Sequence, residues 1–117
     1  MIVAVLCTAC HSEERQIKEV AYEYGMATAN YRIEDAEKYC TAETRETTMV
    51  MARSLLAMVD STYIASDTPA KIEITSVHRT SDTTAIAHYH KLTPRKDFTD
   101  SLSLRRREGK WLVHMPL

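Results

Sequence analysis

Two glycines and three prolines are all that this chain carries in 117 residues. That scarcity excludes a loop-rich β-sandwich, whose many tight turns draw on both residues. Charge of one sign is missing too. Fifteen Lys and Arg against sixteen Asp and Glu leave a net charge of −1, so no global field recruits nucleic acid or an anionic bilayer. No apolar run approaches the ~20 residues that a membrane-spanning helix needs. No Ser/His/Asp order, phosphate loop or dinucleotide fingerprint occurs, and no cofactor is expected. Three cysteines, Cys7, Cys10 and Cys40, are too few for a disulfide framework.

What is present is the material of one globular domain. A hydrophobic share of 44% with 26% charged residues argues against disorder. A chain of this length buries roughly two-thirds of its unfolded surface, enough for a single core.

The first residues stand apart. Residues 1–9 (MIVAVLCTA) are apolar and uncharged, Cys10 follows, and the chain then turns polar at His11-Ser12-Glu13-Glu14-Arg15. Leu6-Cys7-Thr8-Ala9-Cys10 resembles a bacterial lipobox at the end of a secretory signal. The resemblance implies that the Cys10 thiol is acylated and that 1–9 is removed. It also implies that 10–16 tethers a single domain, 17–117, to a membrane of the bacterial cell envelope. Cys40 is then left with no disulfide partner, and its place beside Tyr39 without a flanking base fits a buried, inert thiol.

From Ser12 the apolar period is helical, with Ile17, Val20, Ala21, Tyr24, Ala27, Thr28 and Tyr31 at three- and four-residue steps. Gly25 within that stripe implies another element packed close against it. A break at 30–32 leads to a short helix over 33–41. Thr44 begins a third helix, which carries Met49, Ala52, Leu55, Leu56, Val59 and Tyr63 inward, and Asp67-Thr68-Pro69 stops it or the loop after it.

After Pro69 the period changes to two. Strands are expected over 71–79, 84–92, 98–107 and 110–115. With Glu108-Gly109 as a two-residue turn, Leu104 faces Val113, Leu102 faces Met115 and Arg106 faces Trp111. With Ser81-Asp82 as the other turn, Ile74 meets Tyr89, Ser76 meets Ala87 and His78 meets Ala85. The opposite face then holds Val77 beside Ile86, Thr75 beside His88 and Glu73 beside His90. Each hairpin thus has one apolar face, as a sheet covered by helices on one side requires. The expected class is α+β: three N-terminal helices packed on a curved, four-stranded antiparallel sheet.

The order of elements, the stretch 31–45 (YRIEDAEKYCTAETR) and the closing Arg107-Glu108-Gly109-Lys110-Trp111-Leu112-Val113 resemble the nuclear-transport-factor-2-like (cystatin-like) superfamily. Within it, the chain resembles small bacterial lipoproteins of unassigned function. The resemblance implies a sheet wrapped around the helices into a cone. It carries no catalytic residue across, because no His stands opposite Asp35.

Candidate sites follow from the expected faces. Tyr24, Tyr39, Ser76, Tyr89, Arg106 and Trp111 are the expected pocket lining, with the Arg106 stem laid over the Trp111 indole in a cation–π contact. His88 and His90 point the same way from one strand, and with Glu73 across from His90 they form the metal-ligand alternative. Arg105-Arg106-Arg107 alternates across the sheet and makes no basic stripe for nucleic acid. Val77, Ile86 and Leu112 on the open sheet face suit a homodimer. The leading reading is a lipid-anchored, non-enzymatic binding or accessory domain with an unidentified small ligand or partner. The alternative is a small enzyme using Asp35, Tyr39 or His78 in the cone, or a metal-binding protein. A Cys10→Ser variant is expected to move from the membrane to the soluble fraction; unchanged fractionation would refute the anchor.

Overall fold

The computed structural model describes the backbone of residues 2–117 and side chains from Ser12 onward; the acylation site expected at Cys10 lies outside those described side chains. Five helices precede four strands. They are α1 (Ile2–Ala29), α2 (Ile33–Glu37), α3 (Ala42–Thr44), α4 (Val50–Leu56) and α5 (Ser61–Asp67), with a π-helical turn, Arg45–Met49, joining α3 to α4. The strands β1 (Lys71–Arg79), β2 (Thr84–Leu92), β3 (Asp97–Arg107) and β4 (Lys110–Val113) form one antiparallel meander in sequence order. No helix among the described residues is long and apolar enough to cross a membrane.

The apolar stripe of α1 does what its spacing predicts. Ile17, Ala21, Tyr24 and Ala27 are buried against Ala85 and Ala87 of β2, Leu102 and Leu104 of β3, and Trp111 and Val113 of β4. Ile74 and Tyr89 are half-buried against the same core. Small residues on both sides let helix and sheet approach closely. At Gly25 a Cβ would stand 3.2 Å from both Ile72 Cγ1 and Cγ2, so the close packing implied by that glycine is with β1.

A Schellman motif ends α1. The Arg32 N–H donates to the Ala27 carbonyl at 2.8 Å and the Tyr31 N–H to that of Thr28 at 3.2 Å. Tyr31 fills the left-handed position usually given to glycine, with φ at 62°, a strain of about 1–2 kcal/mol. Its hydroxyl donates to Asp67 Oδ2 at 2.8 Å, which anchors the ring. The neighbouring Asn30 side chain clasps the start of β1, donating to the Ala70 carbonyl at 3.0 Å and accepting the Ala70 N–H at 2.8 Å.

The third expected helix is divided. Asp60 adopts an extended conformation (ψ 138°) and its side chain accepts the Thr62 N–H at 2.8 Å, capping a new helix, α5. Its stripe also differs from the expectation. Only Met49 is buried; Ala52, Leu56 and Val59 are half-buried, while Leu55 and Tyr63 are exposed.

The second hairpin has the expected register, with Leu104 opposite Val113 and Arg106 opposite Trp111. Glu108 and Gly109 both take positive φ, 52° and 78°, as a tight two-residue turn demands. The strand stops at Val113, so Leu102 and Met115 are not partners in the ladder. The first hairpin agrees only in part. Ile74 pairs with Tyr89 and Glu73 with His90, but the register shifts by one between Ile74 and Ser76. This bulge turns Val77 inward opposite Ala87 and Arg79 inward opposite Ala85, while Ser76 and His78 turn outward opposite His88 and Ile86. Because Val77 packs against the core, Val77→Asp is expected to cost about 1–3 kcal/mol by denaturant titration. Ser76→Asp, on the exposed face, is expected to stay within ~0.5 kcal/mol.

Candidate functional site

The stripe of the π turn and α4 is left incompletely buried because it faces a gap. Tyr24 and Thr28 of α1 form one wall of this groove, and Met49, Ala52 and Leu56 form the other. Tyr89 and Leu102 of the sheet lie between, while Tyr31 and Ile33 also border it. The groove holds about 380 Å³ and has no charged side chain in its lining, the size and polarity of a small-molecule site. Burial is the main force raising the phenol pKa values of Tyr24 and Tyr89, with Cys40 and Tyr89 adding to the first and Asp100 to the second. Both phenols therefore remain neutral hydrogen-bond donors at physiological pH.

Of the residues named as pocket lining, Tyr24 and Tyr89 border one groove, and the others do not join them. Tyr39 and Trp111 border a separate cleft of about 320 Å³, shared with Gln16, Glu19, Lys38 and Lys110. Ser76 is corrected to the exposed outer face, because the bulge reverses its side. Arg106 is also corrected. It stands opposite Trp111, but its guanidinium pairs with Glu13 Oε1 at 3.1 Å. The cation over the indole is Arg79, 5.5 Å from the ring centroid, and Arg79 also pairs with Glu13 Oε2. The Trp111 indole N–H is buried with no acceptor among the described residues.

The metal alternative finds its residues on one face but not in a set. Glu73 lies opposite His90, the shifted register puts Ser76 opposite His88, and His90 Nε2 is 3.6 Å from Asp97 Oδ2. Among the described residues no three His, Cys, Asp or Glu side chains come together to hold a metal ion. The enzyme alternative is scattered as well. His78 faces outward, Tyr39 borders the second cleft, and Asp35 pairs with Arg32 at 3.2 Å and Lys38 at 3.4 Å. Asp35 borders a third cleft, of about 440 Å³, with Arg32, Glu34 and Arg53. Of the three apolar residues expected on the outer face, Val77 is corrected to the inner one, and Ile86 and Leu112 lie on the outer one. Cys40 is fully buried, and that burial raises its thiol pKa.

Sequence reasoning missed the groove because it placed the stripe of Met49, Ala52, Leu56 and Val59 in the core. One signal was available: Asp60-Ser61-Thr62 caps a new helix and so breaks the element that was to carry the stripe.

At the other side of the π turn, threonines hold the C-terminal segment. Thr41 Oγ1 lies 2.8 Å from Thr44 Oγ1 and 2.9 Å from His114 Nδ1. The Met115 N–H donates to Thr44 Oγ1 at 2.9 Å, and the Leu117 N–H to Thr47 Oγ1 at 3.1 Å.

The cone of sheet around α1 is the fold of nuclear-transport-factor-2-like proteins. The chain belongs to the family described as "Putative lumazine-binding", whose profile matches residues 12–114. A solved structure from Campylobacter jejuni, described as a "Putative NTF2-like transpeptidase", superposes with a TM-score of 0.58 at 12% identity, covering 84% of this chain and 96% of that one. That likeness establishes the shared fold. No curated protein matches the chain at comparable significance.

Burial first, then the Arg105 and Arg107 charges, lower the His114 pKa below 6.5, against an opposing pull from Glu43. The unfolded chain therefore takes up this proton at a higher pH than the folded one, and stability falls as pH drops below 6.5. Glu43, held down to about 2 chiefly by the Arg107 hydrogen bond, adds its own loss only below its ordinary 4.5. Between pH 7.5 and 5.0 (a window set about the His value), His114→Gln is expected to lose less thermal stability than the parent, as thermal melts would show.

Proposed function

We propose that this domain is a lipid-anchored, non-enzymatic binding protein of the bacterial cell envelope, and that its apolar groove holds a small ligand. The observation that carries the reading is the uncharged groove of about 380 Å³ between α1, α4 and the sheet. Three tyrosines, Tyr24, Tyr31 and Tyr89, border it and offer faces on which a flat ring stacks. The family description names lumazine, a flat ring system of a size that such a groove admits.

The groove's own groups support the non-enzymatic reading. Its two threonine hydroxyls donate to main-chain carbonyls, Thr28 to Tyr24 and Thr48 to Met115, with no base beside either. Asp35 and His78 stand outside its lining. The transpeptidase description of the Campylobacter protein would require an activated nucleophile, and this groove offers none among the described residues. The anchor rests on the lipobox-like Leu6-Cys7-Thr8-Ala9-Cys10.

An uncharged fluorescent probe, phenylnaphthylamine, is expected to bind the parent protein with micromolar affinity, roughly −8 kcal/mol. Ala52→Trp fills the groove from the α4 wall and is expected to abolish that binding while circular dichroism stays unchanged. Equal binding by the two proteins would place the probe elsewhere and reject the groove as the site.

A further inference from the structure

The groove is not closed at its sheet side. A smaller cavity of about 110 Å³, bordered by Gly25, Ala29, Ile72 and Lys91, shares Thr28, Tyr89 and Leu102 with it. The two spaces are therefore adjoining parts of one cleft. Lys91 is the one charged side chain in the lining of these two parts; the neighbouring cleft that shares Tyr31, Ile33 and Leu56 with the groove brings Arg32 and Arg53, but each of these is paired with a carboxylate, Asp35 and Glu37.

Register explains why a lysine lies there. Ala85, Ala87, Tyr89 and Lys91 alternate along β2 on the side that faces α1, and Lys91 stands opposite buried Ile72 on β1 and opposite Phe98 on β3. The side chain is half-buried, so its stem is covered by the sheet's inner face. No carboxylate among the described residues is in ion-pair range of its ammonium. Its recorded neighbour is the Phe98 ring, 5.4 Å away, and Lys96 reaches the same ring at 5.6 Å. Asp100 also belongs to the inner face, opposite Tyr89, but it is exposed and its Oδ1 accepts the Ser101 N–H at 2.8 Å. Two ammoniums thus flank the Phe98 ring, and one of them belongs to Lys91, which borders the inner cavity. With no carboxylate paired to it, this cation would meet a ligand anion without an ion pair having first to break.

We propose that the ligand of the groove is a small organic acid: an apolar or flat aromatic body lying between Tyr24, Met49 and Leu102, with its anionic group on the Lys91 ammonium. This rests on the groove reading above and adds the charge of the ligand to it. The Tyr89 hydroxyl, kept protonated, is a neutral donor on the path between the two subsites.

Two probes with the same aromatic body separate the claims: phenylnaphthylamine, which is uncharged, and anilinonaphthalene sulfonate, which carries an anionic group. The parent protein should bind the sulfonate about tenfold more tightly than the uncharged probe. Lys91→Gln should remove that advantage and leave the uncharged probe unaffected, and Lys91→Arg should keep most of it. Lys96→Gln is the control for a diffuse charge effect and should change sulfonate affinity by less than about threefold. A sulfonate advantage that survives Lys91→Gln would overturn the proposal with the groove intact. Equal losses for both probes would assign Lys91 a structural part and overturn it too. Failure of the uncharged probe to respond to Ala52→Trp would instead remove the groove reading itself.

Discussion

The structure depends on how closely α1 can lie against the middle of its sheet. Ala21 on the helix and Ala85 and Ala87 on β2 are the small residues that permit it, and Gly25 extends the approach to Ile72. Close packing of this kind maximises dispersion contacts and leaves no room for a methylene more. Along β2 the inward side chains then enlarge from Ala85 and Ala87 to Tyr89 and Lys91. The same strand that seals the core at one end therefore props the cone open at the other. The groove follows from a gradient of side-chain size along one strand.

How much of this was legible follows the same geometry. The β3–β4 register could be read because a two-residue turn with Gly109 leaves no freedom: count back from the turn and Leu104 must meet Val113. The β1–β2 register could be read only from Ile74 toward the open end. A bulge next to Thr75 adds one residue to β1, and nothing in Thr75-Ser76-Val77 marks it, since each residue is at home in an ordinary strand. Alternation carries no memory of an inserted residue, so every assignment from Ser76 to His78 came out on the wrong face. Of the expected pocket residues, Tyr24 and Tyr89 were found because they lie outside the reach of that error; Ser76 was lost because it lies within it.

The bulge also accounts for the misplaced cation–π contact. With Arg79 turned inward beside Ala85, its guanidinium takes the space over Trp111 that the sequence assigned to Arg106. Arg106 then turns to Glu13, and Glu13, bonded to both arginines, ties the middle of α1 to β1 and β3. One carboxylate between two guanidiniums is a charge-assisted arrangement with partial shielding from water, stronger than an exposed pair but still modest. Its consequence is positional: it fixes the rotation of α1 about its axis, and hence which α1 residues, Tyr24 and Thr28, look into the groove.

The two ends of the domain differ in how firmly they are held, and that difference bears on binding. At the alanine end, Ile17, Leu104 and Val113 are fully buried, and the Glu13 bridge closes over them. At the groove end, α4 and α5 contribute no buried residue, and Val50, Met51, Leu55 and Met58 are at least half exposed. Elements with few buried apolar contacts open at a small fraction of the global unfolding free energy. The wall formed by α4 can therefore move aside to admit a ligand while α1 and the sheet keep Tyr24, Tyr89 and Lys91 in place. A ligand that bridges that wall to the sheet would supply the apolar contacts α4 lacks, so binding and ordering of α4 would be coupled, and affinity would be reduced by what that ordering costs. Met49 of that stripe is itself part of the core and Ala52 and Leu56 pack against it, so a ligand in the groove would complete a burial that the fold leaves partial.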